Sequence, residues 1–313
     1  MSTTSASSTR NTAPTQTGDR VFSGIARTAG LAIVVALAGV FVFLAIEGIP
    51  GFFQPEQFYK GAGSFWGYVD NLIFGTVLVA TIALIVAVPL AFGIALVVSH
   101  YAPKWIAGPV AYVIDLLAAV PSVVFGLWGI NLFAPKMVPL YDWLHEHLGF
   151  LPFFKGPVNP VGTTLLTTGL VLAIMVLPII TAISREVFTQ TPVLHEEAAL
   201  ALGATRWEMI RLAVFPYARS GMVSAVMLGL GRALGETMAV AMVLSGGGGI
   251  SFNLITNSNP TSIAANIASQ YKENTPGTLH VLIATGLVLF LITFLVNFAA
   301  RWIVARNERR MSR

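Results

Sequence analysis

Long uncharged apolar stretches, separated by shorter polar ones, dominate this chain. About 20 apolar residues rising 1.5 Å each cover the roughly 30 Å of a bilayer's hydrocarbon. Six stretches meet that requirement: Ala26 to Ile46, Val69 to Ser99, Ile106 to Phe133, Val161 to Ser184, Pro216 to Ser245 and Leu279 to Val304. The second, third and fifth are long enough to tilt or to protrude. The pattern predicts an all-α polytopic membrane protein with six transmembrane helices. Residues 1–25 begin Ser- and Thr-rich without apolar periodicity and read as a disordered tail, 26–305 as the membrane domain and 306–313 as a basic tail. Ala36-Leu37-Ala38 resembles a signal-peptidase site. The apolar run nevertheless continues to Ile46, beyond the roughly 7–15 residues of a signal core, so a retained anchor is expected.

Composition agrees with lipid as the solvent. Of 313 residues, 55% are hydrophobic and only 10% charged, where soluble domains carry about 25% charged residues. That excludes a soluble enzyme. The absence of Cys removes disulfides, thiol nucleophiles and cysteine-ligated metals. With six spans, thirteen Lys and Arg fall in the two tails and the second and fourth loops, against four lysines (Lys60, Lys136, Lys155 and Lys272) on the other side. Both termini are therefore expected in the cytoplasm.

The fourth loop, 185–215, carries the most pattern. Thr191-Pro192 suits an N-cap and first helical position, with Glu196 and Glu197 in the early turns, where the helix dipole favours anions. Gly203 interrupts that helix. Thr205-Arg206-Trp207-Glu208 has the form of a capping box opening a second helix, which Pro216 is expected to end. Composition alone allows a plain connecting hairpin. A DNA-reading helix pair is disfavoured, because spans on both sides hold the loop at the membrane.

Glu197-Ala198-Ala199, three residues and Gly203, followed by a segment ending at Pro216, resemble the EAA loop of ABC importer membrane subunits. In that family the loop docks into the ATPase as a coupling helix. Ala213 and Phe215 stand where the family usually has Ile and Leu. Two further stretches, Ala118 to Gly129 and Gly229 to Val240, are similar to the PstC-type membrane subunits of bacterial phosphate importers, over roughly residues 71–301. The resemblance implies a type I importer (MetI-like) permease fold and a PstA-like membrane partner. It also implies two PstB-like ATP-binding subunits and a PstS-like external phosphate-binding protein. ATP and magnesium would then belong to the partner ATPase, with no cofactor, metal or catalytic residue in this chain and no nucleic-acid partner.

Arg232 and Glu236 lie inside the fifth stretch, about 3 Å and 9 Å beyond its midpoint near Leu230. Each buried charge costs about 2.5–3.5 kcal/mol at a helix centre, and at i, i+4 the two can pair to reduce that cost. One reading is an ion pair that only fixes packing, aided by the small faces of Gly231 and Gly235. The other is a phosphate pathway, in which the Arg232 fork offers two hydrogen bonds to an oxyanion and Glu236 competes for the guanidinium so that the site does not become a trap. The family resemblance associates these positions with transport. Asp115 is a candidate partner for Arg232, a second pathway residue or an interfacial carboxylate.

Other signals are weaker. Gly246 to Gly249 lacks the Lys-Ser or Lys-Thr and the strand context of a P-loop and reads as a hinge. His145 and His147, with Asp142 and Glu146, read as the solvated face of an outer loop, and the aromatics from Phe133 to Pro160 read as interfacial anchors. Rival classes are an importer for another oxyanion, an ATP-independent secondary transporter and an intramembrane enzyme. The secondary transporter would leave the EAA-like loop unexplained, and the enzyme lacks a nucleophile-base pair.

Overall fold

The computed structural model describes residues 17–273 and 275–311. Its helices, in chain order, are α1 (Thr17–Gly48), α2 (Phe65–Leu96), α3 (Lys104–Ala118), α4 (Ser122–Trp128), α5 (Ala134–Leu148) and α6 (Leu165–Thr189). There follow α7 (Val193–Ala201), α8 (Arg206–Met209), α9 (Phe215–Leu234), α10 (Met238–Val243), α11 (Ile263–Gln270) and α12 (Pro276–Met311). Among the described residues, extended pairing is limited to an isolated bridge between Gly246 and Asn259.

Among the described residues, six helical segments are long and apolar enough to cross a membrane: Arg20–Phe53, Phe65–Tyr101, Ser122–Leu148, Leu165–Thr189, Arg206–Leu234 and Pro276–Trp302. The fold is all-α, as expected. The third segment departs from the sequence reading. Ile106 to Phe133 is not one span, because Pro121 lacks an amide proton and disfavours helix at Val120, so the chain breaks between α3 and α4. The 15 residues of α3 reach only about 22 Å, too short to cross. The true span continues through a π-turn at Gly129–Phe133 into α5. His145 and His147 are thus in the last turn of a helix rather than a loop. The His145 Nδ1–H donates to the Phe154 carbonyl at 2.9 Å, and His147 stacks on Trp143.

The terminal boundaries also move. Residues 17–25, expected in the disordered tail, are helical in α1, and α12 runs through 306–311 of the basic tail. The rest of the expected tails, residues 1–16 and 312–313, lies outside the described residues.

α2, α6 and α9 form the centre. Ala80, Ala83, Ala87 and Ala91 are each at most 1% exposed and repeat every three or four residues, so one face of α2 is smooth enough for α6 to approach closely. α1 joins the bundle mainly through α12, with the Phe41 and Phe290 rings 5.5 Å apart and the His280 Nδ1–H donating to the Glu47 carbonyl at 2.9 Å. Its most apolar window has no buried residue, which leaves that surface to lipid or to another subunit.

At the end of the bundle where α2 begins, hydroxyl and amide groups replace water. Thr164 caps α6 by accepting from the Thr167 amide, the Tyr141 and Thr167 hydroxyls meet at 2.6 Å, and Thr163 meets Ser245 at 2.6 Å. Thr76 accepts from the Ile263 amide at 2.9 Å and donates to the Leu72 carbonyl at 2.7 Å, which fixes α11 against α2. The neighbouring Gly75 is required by close approach: a Cβ there would stand 2.8 Å from the Pro260 carbonyl oxygen and nearer still to that of Thr261. Gly75→Ala is therefore expected to destabilise by about 1–3 kcal/mol, as overpacking does. Gly93→Ala, with nothing within 4 Å of its Cβ, serves as the control and should be neutral or stabilising. Thermal unfolding of the two purified variants checks this.

Candidate functional site

Two regions hold the residues singled out by sequence. The first is the loop after α6. Pro192, not Thr191, occupies the N-cap of α7, and no side chain caps that end. Thr191 is instead buried, with its hydroxyl unpartnered. The turn after α7 needs Gly203, whose φ of +86° is a conformation that side chains with a Cβ rarely adopt. The capping box is present: the Glu208 amide donates to the Thr205 hydroxyl at 3.3 Å, and the Thr205 amide donates to the Glu208 carboxylate at 2.7 Å. Pro216 does not end the second helix. A π-turn at Ile210–Val214, closed by the Phe215 amide on the Ile210 carbonyl, leads into α9, so the helical path from Arg206 to Leu234 is continuous.

α7 has no buried residue. Glu197, Ala198 and Gly203 are exposed and Ala199 is half-buried. Around them stand apolar side chains that sequence reasoning passed over: Leu202 is 90% exposed, Leu194 76% and Trp207 55%. A depression of about 420 Å³, lined by His195, Ala198, Ala199, Leu212, Ala213 and Tyr217, lies between α7 and the start of α9. A larger residue at Ala213 would fill part of that depression. Phe215 has its own role, packing against Phe188 and Trp207 with ring centroids 6.1 and 6.2 Å away.

Polar contacts tie this loop end to the bundle. His100, in the π-turn that extends α2, places Nε2 3.4 Å from a Glu196 carboxylate oxygen and Nδ1 2.7 Å from the Ser99 hydroxyl. A proton on Nε2 satisfies both bonds. Asp115 pairs with Arg185 at 3.7 Å, joining α3 to α6, rather than with Arg232. Neither link was visible in one dimension, since each joins residues tens of positions apart.

The second region is the break between α9 and α10. Arg232 lies in the last turn of α9, not near the middle of a span, because the helix ends at Leu234 and Gly235 provides the C-cap. The expected i, i+4 ion pair is absent among the described residues: the chain has left the helix before Glu236, so that register no longer applies. Glu236 is 8% exposed, and its carboxylate accepts from the Ala239 amide at 3.2 Å, capping α10. The half-buried Arg232 makes no hydrogen bond or ion pair among the described residues, and its Nε is buried without a partner. The planar donor fork of a guanidinium so placed is unspent, and a fork of that kind has the geometry to donate to an oxyanion.

The glycine run after α10 is packed rather than free to hinge. The Gly247 and Gly248 amides both donate to the Asn259 carbonyl at 3.2 Å, and a Cβ on Gly248 would collide with the Ser258 carbonyl.

Residues 87–313 match the family described as the binding-protein-dependent transport system inner membrane component. This chain belongs to that family. Membership together with the six apolar helices makes it a multi-pass membrane protein and a component of a transport system. Among relatives, the phosphate transport system permease protein PstC 2 of Mycobacterium tuberculosis is 44% identical over 308 residues, covering 92% of each chain. The phosphate transport system permease protein PstC of Xylella fastidiosa is 41% identical over 278 residues, covering 85% of this chain and 82% of the relative. A chain of the inward-facing MetNI methionine ABC transporter overlays with a TM-score of 0.49 at 17% identity, covering 76% of this chain and 93% of that one.

Proposed function

We propose that this chain is the membrane-spanning subunit of an ATP-driven phosphate importer. The substrate follows from relatives named as phosphate permeases and matching over nine-tenths of the chain. The observation that carries the coupling role is α7, a helix with no buried residue and a strongly exposed apolar rim, at a bundle end where the positive charges gather. An apolar surface of that kind on a polar loop marks a protein contact. The occupant is an ATP-binding subunit, seated on Glu197, Ala198, Ala199 and Gly203 with Leu194 and Leu202 as apolar anchors.

In this reading both termini and α7 are cytoplasmic, and a homologous PstA-like subunit completes the pathway. Two PstB-like subunits bind ATP and magnesium, and a PstS-like protein delivers phosphate from outside. Closure of the ATPase pair pushes on α7. The push passes to α2 through His100 and Glu196 and to α9 through the continuous helix from Arg206, which carries Arg232 in its last turn. Phosphate meets the unspent fork of Arg232 there, while Glu236 is held by the Ala239 amide and so kept from neutralising it. Hydrolysis resets the bundle.

Uptake of radiolabelled orthophosphate at low micromolar concentration, in cells lacking this chain, is expected to return only when the chain is restored. Unchanged uptake in the deletion, with other phosphate carriers removed, would defeat the substrate assignment and favour another oxyanion.

A further inference from the structure

The end of the bundle opposite α7 contains a cavity of about 430 Å³ that the proposed mechanism does not use. We propose that it is an entry site for inorganic phosphate, occupied before the anion reaches Arg232; this rests on the phosphate-importer reading. Its volume lies in the roughly 300–1,000 Å³ range of small-molecule pockets.

The lining selects for charge. No Asp or Glu contributes to it, while Lys60, Tyr68, Asn71, Asn266 and Gln270 do. Glu56 and Asp70 are nearby in sequence but exposed and outside the lining. A wall of one ammonium and neutral donors, without a carboxylate, attracts an anion and repels nothing in it.

Two details point to an oxyanion in particular. The Tyr68 hydroxyl accepts from the Asn266 amide nitrogen at 2.7 Å and from that of Gln270 at 3.1 Å. With its lone pairs so engaged, the O–H of the buried Tyr68 is left as a donor that makes no hydrogen bond among the described residues. An anionic oxygen in the cavity supplies that acceptor. Lys60 is the second detail. It has φ of +52°, the one positive value outside glycine among the described residues, in a turn whose Gly61 and Gly63 show that glycine is the easy choice there. An unfavourable backbone conformation retained for a charged side chain at a cavity rim points to a role for that charge.

Placement links the cavity to the second region. Ala241 and Leu244 border the cavity, so α10, six residues long or about 9 Å, separates it from the break that holds Glu236 and follows Arg232. Tyr68 and Leu72 line the cavity, so the 32 and 28 residues from them to His100 place it about 42–48 Å from the His100 contact with α7. One exposed ammonium and neutral donors hold phosphate weakly enough to pass it on.

Lys60→Gly and Tyr68→Phe test the site. Lys60→Gly relieves the backbone conformation and is expected to be as stable as the parent or more so, which separates lost binding from misfolding. The whole complex, in phosphatidylcholine nanodiscs that carry no anionic headgroup, would be titrated with orthophosphate followed by phosphorus NMR without the binding protein. Each variant is expected to bind at least threefold more weakly. Uptake should fall by a similar factor in reconstituted vesicles, while stimulation of ATP hydrolysis by the binding protein persists because docking is intact. A change of less than threefold in binding for both variants, with the parent complex transporting phosphate normally, overturns the entry site. Failure of the parent to transport phosphate at all would instead defeat the importer reading beneath it.

Discussion

Arg232→Ala is expected to reduce phosphate uptake about 10- to 150-fold, the equivalent of the about 1.5–3 kcal/mol that a hydrogen bond to a charged group contributes. The amount of folded protein in the membrane should not fall. The Arg232 side chain makes no hydrogen bond or ion pair among the described residues, so truncating it leaves no buried partner among them unsatisfied. The alternative, in which Arg232 is a packing partner of Glu236, makes the opposite prediction: the variant would lose stability because a buried carboxylate would be stranded. Thermal stability measured beside uptake separates the two. Arg232→Lys is expected to recover only part of the activity, since an ammonium keeps the charge and loses the planar fork.

The second large effect is at the loop end. Leu202→Asp should release the ATP-binding subunits while leaving the membrane domain folded, because the Leu202 side chain is 90% exposed. Burying a Leu side chain contributes about 1.5–3 kcal/mol, and placing a carboxylate in the same contact adds a desolvation cost, so the affinity should fall at least about 10- to 100-fold. Co-purification of the ATP-binding subunits with the variant reads this directly. Recovery at the parent's level would mean that the apolar rim of α7 is not the docking surface.

How far the sequence carried the structure depends on the kind of signal. Spans one, two, four and six were legible because hydropathy over 20 residues reports burial in lipid directly. The third was misplaced because a 15-residue helix next to a true span is equally apolar to a hydropathy window. Pro121 marked the break, and it was outweighed by the length of the run. Gly235 was the corresponding signal in the fifth span. Reading Arg232 and Glu236 as helical neighbours required the helix to continue past a glycine, the commonest place for one to stop.

The site shows the same division. Gly203 and the Thr205–Glu208 capping box are local, need only a few consecutive residues, and are where the pattern placed them. The π-turn that accommodates Pro216 is not encoded by any short motif, and the contacts of His100 with Glu196 and of Asp115 with Arg185 arise from helix packing. The exposure of Leu194 and Leu202 was hidden for a different reason. In a chain that is 55% hydrophobic, two more leucines carry no signal until the surrounding structure shows that no core covers them.

The most direct test is phosphate accumulation by the purified four-component complex in liposomes, with ATP and magnesium inside and the phosphate-loaded binding protein outside. Accumulation is expected only when ATP, the binding protein and this chain are all present, and to be lost when ATP is replaced by a non-hydrolysable analogue. Phosphate entry that proceeds without ATP, or that follows an imposed ion gradient, would contradict an ATP-coupled importer and leave α7 without its proposed task.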